Sequence, residues 1–105
     1  MKITKKIIKE IEAKTNCSVS VDDSEIYIYV DNACGEDFSV CISKGKDEVE
    51  QVISYCENFD PSEHFRLWYG ANNGEPQDPR ELLDNCEEIG ENLVALGLLL
   101  KGVLK

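Results

Sequence analysis

Residues 17–43 read CSVSVDDSEIYIYVDNACGEDFSVCIS, and three runs in this stretch alternate aliphatic side chains with polar or aromatic ones. An alternation with a period of two places the two kinds of side chain on opposite faces of a β-strand. Residues 22–24 and 31–35 separate the runs and are rich in the residue types that favour tight hairpin connections. The stretch therefore predicts a three-stranded antiparallel meander with one aliphatic face. We expect the second face to stay open, and it carries Ser18, Ser20, Tyr27, Tyr29, Ser39 and Cys41.

Helical spacing precedes and follows this predicted sheet. Isoleucines recur at helical intervals over residues 3–14, and apolar residues do so again from about Asp47 to Asn58. Two further helices are predicted, a short one that begins at Pro61 and a long one from Pro79 to about Leu104. The predicted fold class is α+β, in which an N-terminal helix and the three-stranded antiparallel meander precede two or three helices, the last of them long. A chain of 105 residues fits a single domain, residues 1–105.

The starts of the last two helices share one motif. Each has an aspartate, then a proline, and a glutamate two positions after the proline, in Asp60-Pro61-Ser62-Glu63 and Asp78-Pro79-Arg80-Glu81. An acid at the N-cap, a proline at the first helical position and a glutamate at the third are typical of a capped helix start.

The long last helix carries a heptad seam of apolar residues. Its positions repeat at intervals of four and three, and they are Leu82, Cys86, Ile89, Leu93, Leu96, Leu100 and Val103. One interpretation is that this helix is the central core helix of the chain. The other is that its C-terminal half is covered by a partner or by a second copy, in the latter case with Leu93, Leu96 and Leu100 in a homodimer interface.

Charge limits the possible partners. The net charge is −10, and residues 15–43 contain six acids and no base. Such a surface repels a phosphate backbone, so we expect no direct nucleic-acid binding and instead expect attraction to a basic protein surface. Lysines interrupt the apolar residues after Met1, and no apolar run is long enough to span a membrane. We therefore expect a cytoplasmic protein that does not bind membranes.

Motifs for catalysis or for cofactors are weak. The five cysteines have no Cys-x-x-Cys spacing, which favours buried reduced thiols over a zinc site or a disulfide framework, with Cys34 in a turn as an exception. His64 is the single histidine. Ser62 and the acids Asp60 and Glu63 lie close to it in sequence, but side chains this close on one helix diverge around its axis and cannot form a catalytic triad. We expect a surface or helix-end histidine, no enzyme activity, no cofactor and no metal, and we keep a His64-dependent enzyme as an alternative.

The acidic and aromatic residues of the second half are the main candidates for binding. Residues 47–91 hold thirteen acids and two arginines, net −11 over 45 residues, which fits either a solvated surface or a mimic of duplex phosphates. The aromatic residues from Phe59 to Tyr69 fit either a core or an interface hot spot. The predicted partner-binding residues are Glu57, Glu63, Asp84, Glu87, Glu88 and Glu91.

A resemblance adds a function class. The block from Phe59 to His64, Trp68, the block from Asp78 to Leu83 and the leucine-rich helix resemble small acidic proteins of bacteriophages and mobile elements. The resemblance covers about the last half of the chain, and it implies inhibition by binding, as in anti-CRISPR and anti-restriction proteins. The leading hypothesis is thus an inhibitor in the cytoplasm of a bacterial host cell that blocks a nuclease of a defence system. The alternative is a homo-oligomeric structural or regulatory module that assembles through the C-terminal helix.

Overall fold

The computed structural model describes residues 1–31, 37–71 and 79–104, and it confirms the predicted α+β fold and the order of its elements. A first helix precedes three strands, and three helices follow. The elements are α1 (Lys5–Lys14), β1 (Cys17–Val21), β2 (Glu25–Val30), β3 (Phe38–Ser43), α2 (Glu48–Asn58), α3 (Pro61–Ala71) and α4 (Pro79–Val103).

The three strands form one antiparallel sheet in the order β1-β2-β3. Cys17 pairs with Val30 and Val21 with Ile26 in the first hairpin, while Val30 pairs with Phe38 in the second. The alternation of the sequence is visible in the burial. Ile26, Ile28 and Val30 are fully buried, whereas Tyr27 and Tyr29 between them are exposed. The prediction of an aliphatic face and an open face is confirmed.

The first helix begins later than the isoleucine spacing predicted. Thr4 is the N-cap, and its hydroxyl accepts a hydrogen bond from the Ile7 N–H at 3.3 Å. Ile3 is buried although it lies outside the helix, and its N–H donates to the Glu48 carboxylate at 2.9 Å. Since Glu48 is the first residue of α2, this bond joins the extended N-terminal segment to the start of that helix.

The helix α4 is the central core helix. The residues Leu82, Cys86, Ile89, Leu93, Leu96 and Leu100 of its heptad seam are almost completely inaccessible to solvent within the single chain. This helix packs against α2, α3 and the first two strands, which together cover the seam. The assignment of Leu93, Leu96 and Leu100 to a homodimer interface is corrected accordingly, because side chains that fill the chain's own core have no surface left for a second copy.

Two glycines allow α4 to lie close to its neighbours. A Cβ atom at Gly90 would lie 2.8 Å from Cγ of Pro61, and one at Gly97 would lie 3.2 Å from Cβ of Cys56. The predicted cap of α3 is also present, since Oδ1 of Asp60 accepts hydrogen bonds from the N–H groups of Ser62 and Glu63 at 3.0 and 3.4 Å. The predicted cap of α4, Asp78, lies outside the described residues. None of the helices in the described ranges has the length and apolar character needed to cross a membrane.

Candidate functional site

The side of α4 that faces away from the core carries a stripe of exposed residues. Asp84, Glu87, Glu91, Val94 and Leu98 follow one another at intervals of three and four, which keeps them on one face of the helix. The stripe is acidic in its first half and apolar in its second, where Val94 is 54% and Leu98 63% exposed. It lies opposite the heptad seam, so burial of the seam is what presents these acids to solvent.

Beside this stripe, α4 and the junction of α2 and α3 border a groove of about 390 Å³. Its residues are Cys56, Glu57, Phe59, Pro61, Glu87, Gly90, Glu91 and Val94. The aromatic ring, the proline and the valine supply an apolar floor, and three glutamates form the rim. We call this site the acidic groove.

The local sequence explains how the acidic groove forms. Because Asp60 and Pro61 end the extended link after α2 and begin α3, the chain turns sharply beside α4. Gly90 lets Pro61 lie against the α4 backbone, and its missing side chain leaves the floor open between Glu87 and Glu91. The C-terminal end of α2, the N-terminal end of α3 and Gly90 of α4 therefore form the floor of the acidic groove together.

The electrostatics of the acidic groove favour a cation. Glu57 pairs with Lys101 of α4 at 3.1 Å, and both side chains are about half exposed, so water screens this pair strongly. Glu87 and Glu91 are exposed on the rim. Three carboxylates and one ammonium group thus leave a net charge of −2 around an apolar floor.

Of the predicted partner-binding residues, the fold brings Glu57, Glu87 and Glu91 together in the acidic groove, and Asp84 extends the same stripe by one turn. Glu63 lines a neighbouring depression on α3 and lies 3.7 Å from Arg66. Glu88 is half-buried and points about 100° around the helix axis from Glu87. The six acids therefore do not form one continuous patch.

The apolar floor is not predictable from the sequence. The sequence pattern allows Phe59 to be either a core residue or part of an interface hot spot, and it predicts Pro61 only as the first residue of a helix. The signal that pointed to this surface was Val94, which is apolar yet lies off the heptad seam. An apolar residue that the core does not need is a candidate for a contact with a partner.

His64 lies in the first turn of α3, as the prediction of a surface or helix-end histidine allowed, and it is half-buried in an aromatic cluster. The imidazole ring is 5.4 Å from Phe38, 5.5 Å from Phe59 and 5.2 Å from Trp68, measured between ring centroids. Its Nε2 atom is buried and makes no hydrogen bond to any of the described residues, and burial lowers the pKa of the imidazole. His64 therefore joins α3 to β3 as a neutral, mostly apolar contact. Phe65 and Tyr69 stack on each other elsewhere on α3, with centroids 5.6 Å apart.

The cysteines divide into buried and exposed thiols. Cys17, Cys56 and Cys86 are buried, and burial raises the pKa of Cys17 to about 11 and that of Cys56 to about 12. Cys41 is exposed on the open face of the sheet, where the strand alternation predicted it, so the expectation of buried thiols does not hold for this cysteine. Cys34 lies outside the described residues. Within residues 1–31, 37–71 and 79–104, no group of three or more His, Cys, Asp or Glu side chains is placed to hold a metal ion.

Comparison with known proteins supplies no relative for this chain. No protein-family model, no curated protein and no solved structure matches it. The function must therefore be argued from the geometry of the acidic groove and from the charge of the surface around it.

Proposed function

We propose that this protein acts by binding a basic surface of another protein through the acidic groove. The observation that carries the proposal is the convergence of Glu57, Glu87 and Glu91 around an apolar floor. An apolar centre with a charged rim is the arrangement of many protein interfaces, in which the centre provides affinity and the rim provides steering and specificity. A lysine or arginine flanked by apolar residues on the partner has the complementary chemistry.

We propose further that the partner is a nucleic-acid-binding enzyme, and that binding blocks it. Such enzymes expose basic surfaces for phosphates, and a net charge of −10 attracts those surfaces over a distance set by the ionic strength. Together with the resemblance to small acidic phage proteins, this supports an inhibitor of a defence nuclease that acts in the cytoplasm of a bacterial host cell. In this proposal the protein is a binding protein and not an enzyme.

The test is a charge reversal with a matched control. The protein is immobilised and the retained proteins of a bacterial lysate are identified at low and at high salt. Binding of the retained nuclease is then measured for Glu87→Lys/Glu91→Lys and for Glu12→Lys/Glu81→Lys. Both pairs change the net charge equally. Glu12 lies on α1, however, and Glu81 points about 120° around the α4 axis from Glu87.

We expect the groove pair to weaken binding roughly tenfold or more at low salt, and the control pair to weaken it much less. Equal losses for the two pairs would show that only the net charge matters and that the acidic groove is not the site. Inhibition of the nuclease by the wild type, measured on a DNA or RNA substrate, tests the second part of the proposal separately.

A second candidate function is self-association through the outward side of α4. The observation that favours it is the exposure of Val94 and Leu98 on adjacent turns. Sedimentation equilibrium at millimolar concentration tests it, with Leu98→Glu as the variant that should abolish any dimer. A monomer at that concentration rules out the homo-oligomeric module.

A further inference from the structure

The outward face of the sheet is a second exposed surface that the acidic groove does not include. Two rows of side chains cross it in register, Ser18–Tyr29–Ser39 and Ser20–Tyr27–Cys41. Tyr27 is 39% and Tyr29 40% exposed. Because small side chains flank each tyrosine on both neighbouring strands, the faces of the two aromatic rings stay accessible. We call this surface the tyrosine face.

Hydrogen bonds at opposite ends of the sheet hold the two rings. The Tyr27 hydroxyl donates to Oδ2 of Asp22 at 2.9 Å, and the Tyr29 hydroxyl donates to the carboxylate of Asp37. Asp22 is itself fixed, since its Oδ1 accepts the N–H groups of Ser24 and Glu25 at 2.8 and 2.7 Å. Each ring is therefore preorganised, with a carboxylate at its hydroxyl end.

The charges at these positions are stable near neutral pH. Hydrogen bonds from the N–H groups of Ser24 and Glu25, and from Tyr27, lower the pKa of Asp22. The hydrogen bond to Asp22 and its negative charge raise the pKa of Tyr27 to about 12, and the hydrogen bond to Asp37 raises the pKa of Tyr29. Both phenols stay neutral, so the face combines two uncharged rings with ionised acids.

Charge complementarity decides the kind of ligand. Residues 15–43 contain six acids and no base. Asp22 and Asp37 accept hydrogen bonds from the two tyrosines, and the negative charges of Glu25 and Asp31 act on Tyr27 and Tyr29. Nucleic-acid bases also stack on tyrosine, but their phosphates would be repelled here. A cation is attracted both by the carboxylates and by the electron-rich faces of the rings.

We propose that the tyrosine face docks an arginine-bearing segment of a protein partner. The planar guanidinium group stacks on the ring of Tyr27 or Tyr29, and its N–H groups donate to the carboxylate of Asp22 or Asp37 beside that ring. Arginine fits better than lysine, because a guanidinium is planar, is weakly hydrated and presents several donors in a fixed fork. This inference does not depend on the acidic groove.

Two capped peptides of equal charge test it, one alternating serine with arginine and one alternating serine with lysine. Affinities are measured by calorimetry, and the contact surface is located from amide shifts of the isotope-labelled full chain. We expect the arginine peptide to bind about two- to fivefold tighter, given the usual strength of cation–π contacts at exposed sites. The largest amide shifts should fall on β2.

Variants separate stacking from general attraction. Tyr27→Leu/Tyr29→Leu keeps apolar bulk and should remove the preference for arginine, whereas Tyr27→Phe/Tyr29→Phe keeps the rings and should retain most of it. Glu87→Gln/Glu91→Gln in the acidic groove should leave the preference unchanged. If the leucine variant proves poorly folded by amide dispersion, Ser39→Lys/Cys41→Lys serves instead, because it places competing cations directly across from Tyr29 and Tyr27.

Three outcomes would overturn the inference. Equal affinity of the two peptides would indicate non-specific attraction to an acidic protein. A preference for arginine that persists in the folded leucine variant or in Ser39→Lys/Cys41→Lys would place the contact elsewhere. Amide shifts confined to the acidic groove would also place the contact outside the tyrosine face.

Discussion

Replacing Gly90 by alanine adds a single methyl group at the closest approach of α3 and α4. That carbon would lie 2.8 Å from Cγ of Pro61, whereas carbon atoms in good contact are about 3.5–4.0 Å apart. The Pro61 ring is rigid and belongs to the first residue of α3, so relief requires a shift of that helix. The same substitution also places a methyl group on the floor of the acidic groove, between Glu87 and Glu91.

The size of the effect follows from two opposing terms. Alanine is favoured over glycine inside a helix by about 1 kcal/mol, which stabilises the variant. Overpacking of a filled contact costs about 1–3 kcal/mol. We expect Gly90→Ala to lower the free energy of unfolding by about 1 kcal/mol, the difference between the middle of that range and the propensity gain.

Two other glycines of α4 provide matched controls. A Cβ atom at Gly97 would lie 3.2 Å from Cβ of Cys56, and one at Gly102 would meet nothing within 4 Å. Gly102→Ala should raise the free energy of unfolding by about 0.5 kcal/mol, less than the interior value because the helix ends one residue later. Gly97→Ala should fall between the other two variants.

Urea unfolding of the three variants measures these changes as shifts in the transition midpoint at constant slope. The predicted order of stability is Gly102→Ala, then Gly97→Ala, then Gly90→Ala. If Gly90→Ala stabilises the protein as much as Gly102→Ala does, α3 and α4 are not in close contact, and the description of the groove floor is wrong.

Three further predictions concern the core and its polar contacts. Leu93→Ala should lower the free energy of unfolding by about 2–5 kcal/mol, and Leu98→Ala should change it by less than about 0.5 kcal/mol, as measured in urea; similar values would contradict the core assignment. Glu48→Ala leaves the Ile3 N–H without its acceptor and should cost about 1–3 kcal/mol, whereas Glu48→Gln should cost less in the same assay. Burial lowers the pKa of His64 from 6.5, so the unfolded chain takes up the proton first and stability falls as the pH drops from about 6.5 through the folded-state pKa. In thermal melts at several pH values, the stability of His64→Phe should lack this part of the pH dependence. Identical pH profiles for the wild type and for His64→Phe would refute the contribution of His64.

Patterns that act within one element were readable from the sequence. The alternation around Tyr27 and Tyr29 gave the sheet, because a strand can bury only one of its faces. The intervals between Leu82 and Leu100 gave the buried side of α4, because helical periodicity fixes which side chains share a face. In both cases the signal lies within a few residues along the chain, and no knowledge of neighbouring elements is needed.

Patterns that depend on packing between elements were not readable. The seam of α4 leaves two interpretations open in the sequence, a central core helix or a dimer interface through Leu93, Leu96 and Leu100. The structure covers it with α2 and α3 as well, whose placement depends on Gly90 and Gly97. A glycine that permits close helix packing looks, in a sequence, like a glycine that merely weakens a helix.

The candidate site shows the same limit. The acids of α4 were predicted as a group, but their meeting with Glu57 depends on the crossing of α2 and α4, seen in the 3.1 Å contact between Glu57 and Lys101. These two residues are 44 positions apart in the chain. Counting charges along the sequence shows that the surface is negatively charged. It does not show how the acids divide into separate patches.

The separation of the acidic groove from the tyrosine face limits how partners can bind. The tyrosine face points away from the helices that cover the other side of the sheet, whereas the acidic groove lies among those helices. A flat partner surface cannot contact both, so if both proposed sites bind, they bind either two partners or one chain that wraps around the protein. If two partners bind, variants in the groove and on the face should have independent effects. If one chain wraps, loss of either site also removes the high effective concentration that it gives the other, so each variant alone should cost almost as much as both together.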